Sequence, residues 1–87
     1  MSPHETRAID NASNYVGGIV ITSGHVGIAG NYGCNVLAYG YGDGVHSEQI
    51  WGVKAGTGGY ATISASDGKV RLSNNMGAYL QYAVIHL

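Results

Sequence analysis

Phenylalanine is absent from this 87-residue chain, and tryptophan, cysteine and proline occur once each. A single cysteine, Cys34, excludes an intramolecular disulfide and most structural zinc arrangements. Its expected role is that of a small buried apolar residue, with a reactive thiol or an inter-chain bridge as the alternatives. Charge is scarce too: four Lys plus Arg against five Asp plus Glu leave a net charge of −1. That balance lacks the basic footprint of a nucleic-acid binder. No apolar run approaches the ~20 residues of a membrane-spanning helix, so membrane insertion is not expected. The start, Met1-Ser-Pro-His-Glu-Thr-Arg7, has no signal-peptide core, and synthesis as a soluble intracellular product is expected.

Hydrophobic residues nevertheless make up 45% of the chain, which argues for a globular domain over a disordered segment. Much of that count is Ala and Tyr, so the core is expected to be thin. Ordering each residue costs roughly 1.5 kcal/mol, and chains of this length usually add disulfides, a metal or partner subunits to offset it. Subunit association is the one of these that the composition readily allows. A surface this poor in charge also suits a chain partly covered by neighbours.

Fifteen glycines punctuate short runs rich in Val, Ile, Tyr and Thr, the pattern of many short strands, and no stretch keeps a helical period over ten residues. Residues 1–14 read as a polar lead-in segment ordered only by contact with something else, and residues 15–87 as a single β domain. The clearest local feature is Tyr60 to Ser66, then Asp67-Gly68, then Lys69 to Ser73. A two-residue turn of this kind needs positive φ at both central positions, which Asp-Gly supplies. Register supports it: with Asp67 and Gly68 as the loop, Ser66 faces Lys69, Ala65 faces Val70, Ser64 faces Arg71 and Ile63 faces Leu72.

A second hairpin is expected from Ile19 to Thr22, a Ser23-Gly24 turn, and His25 to Ala29, placing Ile21 opposite Val26. Gly24 and Gly68 lie 44 residues apart (68 − 24), and the same shift carries Ile19 onto Ile63, Val26 onto Val70 and Val36 onto Leu80. An internal duplication accounts for this, as does chance similarity in a glycine-rich chain. The fold class expected is all-β: a small antiparallel sandwich or barrel of about seven strands, near residues 15–22, 25–29, 34–39, 47–54, 59–66, 69–73 and 78–86.

The final strand is apolar on both faces. Tyr79, Gln81, Ala83, Ile85 and Leu87 alternate with Leu80, Tyr82, Val84 and His86. Such a strand needs cover on both sides, from a second sheet or from another subunit. The candidate oligomer interface is therefore Tyr79, Gln81, Tyr82, Val84, Ile85 and Leu87.

Reactive groups are sparse. His4, His25, His46 and His86 stand at no ligand spacing, and neither a metal nor an organic cofactor is expected. The one local concentration, Asp43, His46 and Glu48, offers oxygens for a cation or an acid–base pair, against the plainer reading of a solvated loop. No nucleophile elbow or phosphate-cradling loop can be read, so an enzyme is not expected. Tyr39, Tyr41, Trp51 and Tyr60 lie in or beside glycine-rich connections, where aromatic faces stack on sugars while Asp and Asn bond the hydroxyls. Together with Asp43, His46 and Glu48 they form the candidate ligand site of a lectin-like domain. In a chain without Phe they are equally suited to packing.

In its short glycine-punctuated strands, its Asp67-Gly68 hairpin and its terminal Tyr82-Ala-Val-Ile-His-Leu87 strand, the chain resembles the C-terminal domains of bacteriophage tail fibres and tailspikes. The resemblance spans about residues 15–87 and is one of texture, with no motif to carry a residue's role across. It implies a β-rich homotrimer of a virion tail or capsid, attached to a larger fibre or capsid protein and able to contact a surface glycan. A chain beginning with its own Met1 departs from that pattern, because such domains normally end a longer polypeptide.

Overall fold

A computed structural model describes residues 1–24, 34–52 and 60–87. They form seven strands: β1 (Thr6–Asn11), β2 (Gly17–Gly24), β3 (Asn35–Tyr41), β4 (Val45–Gly52), β5 (Ala61–Ser66), β6 (Lys69–Asn74) and β7 (Leu80–His86). All pairings are antiparallel. One sheet has the order β1-β6-β5 and the other β4-β3-β2-β7, so the architecture is the small all-β sandwich that the strand pattern predicts.

The β5–β6 hairpin has the register read from its sequence, from Ser66 opposite Lys69 to Ile63 opposite Leu72. Asp67 and Gly68 take φ of 53° and 74°, the positive pair that a tight turn between twisted strands requires. Between the sheets lie Val20, Leu37, Tyr39 and Leu80 from one side and Ala61, Val70 and Leu72 from the other, closed at one end by Met76. Among the described residues the buried hydrophobic core thus rests on these eight, one layer of side chains in thickness.

Three expectations need correction. Residues 1–14 are not a detached lead-in: Thr6–Asn11 is a strand on the edge of the three-stranded sheet. Its polar sequence is tolerated because its inward residues find partners across the sandwich. Asp10 accepts a 2.7 Å hydrogen bond from the Tyr39 hydroxyl, and Arg7 lies over the Tyr82 ring, 5.8 Å from its centroid. Ahead of the strand, Leu80 N–H donates to Met1 O and His4 N–H to Met76 O. Asn74, 1% exposed, ties this seam from inside, donating to Ser2 O and Ala78 O and accepting from Met76 N–H.

Secondly, Ser23-Gly24 is not a turn. Both residues continue β2, opposite Gln81 and Leu80 of β7, and Ile21 faces Val36 rather than Val26. A long non-local pairing with β7 outweighs the local turn composition; His25 to Ala29 fall outside the described residues. Thirdly, the 44-residue superposition carries β2 onto β5 and β3 onto β7. β2 pairs with β3, but β5 and β7 lie in different sheets, so the strand pairing does not repeat.

Gly18 has a steric reason. A Cβ there would run into the Ile85 carbonyl oxygen and lie 3.2 Å from the Tyr39 hydroxyl, closing the space in which Tyr39 reaches Asp10.

Burial, and after it the Asp10 carboxylate bonded to its hydroxyl, pushes the Tyr39 phenol above the ordinary tyrosine range. A raised folded-state value stabilises the fold below the unfolded pKa of about 10 and is lost as pH climbs towards the folded one. Tyr39→Phe should therefore cost about 1–2 kcal/mol in urea denaturation at neutral pH, by leaving a half-buried carboxylate short of a donor. The same variant should show a smaller loss of stability between pH 9 and about 11 than the parent.

Candidate functional site

The turn joining β3 to β4 gathers part of the expected ligand site. Tyr41 ends β3, Asp43 sits in the turn and His46 opens β4. His46 Nε2–H donates to Asp43 Oδ1 at 3.0 Å, with both side chains largely in solvent. That hydrogen bond first, then one from its own backbone amide, holds the Asp43 carboxyl below its ordinary value. Asp43 is therefore an anion throughout the neutral range, with Oδ2 not engaged by His46.

The facing wall is one that the sequence did not reveal. Val16 N–H bonds Ser13 O at 3.2 Å, which makes Asn14 and Tyr15 the centre of a turn. Two more backbone bonds, Tyr15 N–H to Tyr41 O at 3.1 Å and Tyr41 N–H to Val16 O at 2.8 Å, fix that turn against the end of β3. Tyr15 takes φ of 68° and is 98% exposed. Its place is the third position of a turn whose positive φ normally selects Gly or Asn. A bulky residue there carries about 1 kcal/mol of strain with no burial to offset it. Asn14, Tyr15, Tyr41, Gly42 and Asp43 line an open depression of about 330 Å³.

Of the other expected ligand residues, Tyr39 and Glu48 share with His46 a second open depression of about 260 Å³, while Tyr60 and Trp51 line neither depression. Tyr39 is a core residue, 6% exposed, because its position in β3 faces the opposite sheet. Tyr60 packs half-buried against the core at the start of β5, its carbonyl accepting from Asn75 N–H. Glu48 points outward on β4 opposite Ala38, and Trp51 lies at the far end of that strand, 58% exposed. Asp43, His46 and Glu48 do not converge as a triad; only the first two touch. Among the described residues no three His, Cys, Asp or Glu side chains come together to hold a metal ion. Cys34 is half-buried with a free thiol, less enclosed than expected.

A second feature of the surface belongs to the four-stranded sheet. Its outer face carries two central cross-strand rows, Trp51·Val36·Ile21·Ala83 and Glu48·Ala38·Ile19·Ile85, bordered by the exposed Ser23·Gln81 pair. Seven of the eight positions in the central rows are apolar, with Trp51, Ile21 and Ile85 exposed to 58%, 44% and 52%. The outer face of the three-stranded sheet reads otherwise: Thr62·Ser73·Thr6, Ser64·Arg71·Ala8 and Ser66·Lys69·Asn11. One sheet is thus built for water, and the other is not.

Of the expected interface residues, Tyr79, Gln81, Ile85 and Leu87 are exposed, Tyr79 by 73% and Leu87 by 93%. Tyr82 and Val84 are corrected: they face inward on β7 and pack against the chain's own core. Ile21 and Trp51 stand in the exposed rows instead. Comparison with protein-family models, curated proteins and solved structures returns no match.

Replacing Tyr15 by Gly should relieve the turn. Thermal or urea unfolding is expected to show Tyr15→Gly more stable than the parent by about 0.5–1 kcal/mol; a loss of stability would mean that the ring packs on something.

Proposed function

We propose that this chain is a non-catalytic structural module that works by self-association through the outer face of its four-stranded sheet. The observation that carries the reading is the contrast between the two outer faces. The same sequence lays Ser, Thr, Arg, Lys and Asn, with Ala8 among them, on one sheet, and Trp, Val, Ile and Ala, with Glu48 at one corner, on the central rows of the other. Contiguous apolar surface of this kind is characteristic of association sites.

Energetics point the same way. Completing the burial of a half-exposed Ile or Trp contributes roughly 1 kcal/mol each, and a core one layer thick leaves room for such additions to matter. Tyr79 and Leu87, at the two ends of the β7 segment, extend the apolar surface along the sheet's edge. The particle setting follows the resemblance to phage tail-fibre domains. Three copies is the stoichiometry that this resemblance implies, and attachment to a larger fibre or capsid protein is the role it implies.

Size-exclusion chromatography with light scattering at high micromolar concentration should give a multiple of the 9.0 kDa chain mass. The double variant Ile21→Asp, Ile85→Asp should elute as a folded monomer, since both side chains lie on the outer face. A parent that stays monomeric, or a double variant with the parent's mass, would overturn the reading.

A further inference from the structure

We infer that the depression between the Asn14-Tyr15 turn and the β3–β4 turn is a binding site for neutral saccharides that rejects acidic ones. Its position at the strand ends separates it from the apolar sheet face, so this inference and the association reading stand or fall independently.

The first argument is the placement of Tyr15. Folding gives no reason for a tyrosine there: the ring is 98% exposed, and the backbone is in a left-handed conformation that Gly would adopt without strain. The ring is nevertheless not on a loose loop. Bonds to Ser13, Tyr41 and Val16 carbonyls hold residues 14 to 16 against the end of β3. An aromatic that contributes no burial of its own yet stands on a fixed backbone is what a stacking platform needs, because its place is set before a ligand arrives.

The second argument is the set of groups that share the depression. Tyr15 supplies an exposed ring for the C–H face of a pyranose, Tyr41, which packs against the core, forms part of the wall, and Asn14 and Asp43 supply polar atoms for its hydroxyls. The volume, about 330 Å³, lies at the small end of the range of ligand sites and suits one or two sugar rings. Its openness means that only one face of the ligand is covered, so affinity in the millimolar range is expected.

Charge then sets the specificity. The residues lining the depression include no Lys or Arg, while His46 holds Asp43 in place by its side-chain hydrogen bond. A uronate or sialate carboxylate would meet an anion with no cation supplied by the lining, whereas a neutral hydroxyl would donate to the same oxygen.

The test is a titration of the uniformly 15N-labelled chain followed by two-dimensional amide NMR. Lactose, maltose and N,N′-diacetylchitobiose serve as neutral probes, 3′-sialyllactose and digalacturonate as acidic ones, and tetramethylammonium as a cation control. At least one neutral probe should saturate shifts of the Tyr15, Tyr41 and Asp43 amides, with the acidic probes about tenfold weaker or more. Tyr15→Gly, which the turn accommodates, should weaken neutral binding at least about tenfold while the spectrum stays folded, and Tyr15→Phe should retain it. Asp43→Asn should narrow the gap between neutral and acidic probes. No saturable shift with any neutral saccharide, equal binding of acidic ones by the parent, a response to tetramethylammonium alone, or binding indifferent to Tyr15→Gly would each overturn the inference.

Discussion

A single layer of side chains between two short sheets is the constraint on which the rest of this structure depends. Strand residues alternate faces, so each strand can give only half of its side chains to that layer. Among the described residues Val20, Leu37, Tyr39, Leu80, Ala61, Val70, Leu72 and Met76 form the centre of that layer, with half-buried residues such as Ile63, Tyr82 and Val84 packed around them. Every further apolar residue on the outer rows must then lie in water or be covered from outside. Both sheets face this choice and resolve it differently, the three-stranded one with hydroxyls and charges, the four-stranded one with Trp51, Ile21, Ile19 and Ile85. A core this thin also explains why polar ties are placed between the sheets. The Tyr39–Asp10 bond, the Arg7–Tyr82 contact and the Asn74–Ser2 hydrogen bond fasten the N-terminal strand and its lead to the sandwich without calling on more apolar residues.

Where the chain's own signals are local, the sequence is legible. The Asp67-Gly68 hairpin combines a turn that demands positive φ with two alternating runs in matching register, and nothing distant competes with it. The approximate limits of β3, β4 and β7 follow from the same glycine and β-branched punctuation. β1 is hard to read because a bulge between Ala8 and Asp10 breaks its alternation and its core-directed positions mix Ile9 with Arg7 and Asp10, whose partners Tyr82 and Tyr39 lie far along the chain. Alternation of hydrophobicity cannot reveal a strand whose register shifts and whose inward side chains are partly charged. Ser23-Gly24 misleads for the opposite reason: good turn residues are overridden by seven residue pairs between β2 and β7.

The candidate site was half legible. Tyr41, Asp43 and His46 are neighbours in sequence and remain neighbours in space. Tyr15 was not recoverable, because a positive φ at a tyrosine is the one turn conformation that composition argues against. Tyr39 and Tyr60 were drawn towards the core by the shortage of larger apolar residues, the same shortage that makes the sandwich thin. On the doubly apolar β7 the two faces separate cleanly: Tyr82 and Val84 serve the chain's own interior, while Ile85 extends the exposed rows and Tyr79 and Leu87 lie bare at either end.

If the outer face of the four-stranded sheet is buried between copies, stability and assembly are one equilibrium. The most direct measurement is the urea midpoint at protein concentrations spanning about a hundredfold, because association that favours the folded state makes stability rise with concentration. Coupling through that face predicts a midpoint that climbs steadily with concentration and becomes flat when Ile21 is replaced by Asp. A parent midpoint that does not move across the whole range would contradict it.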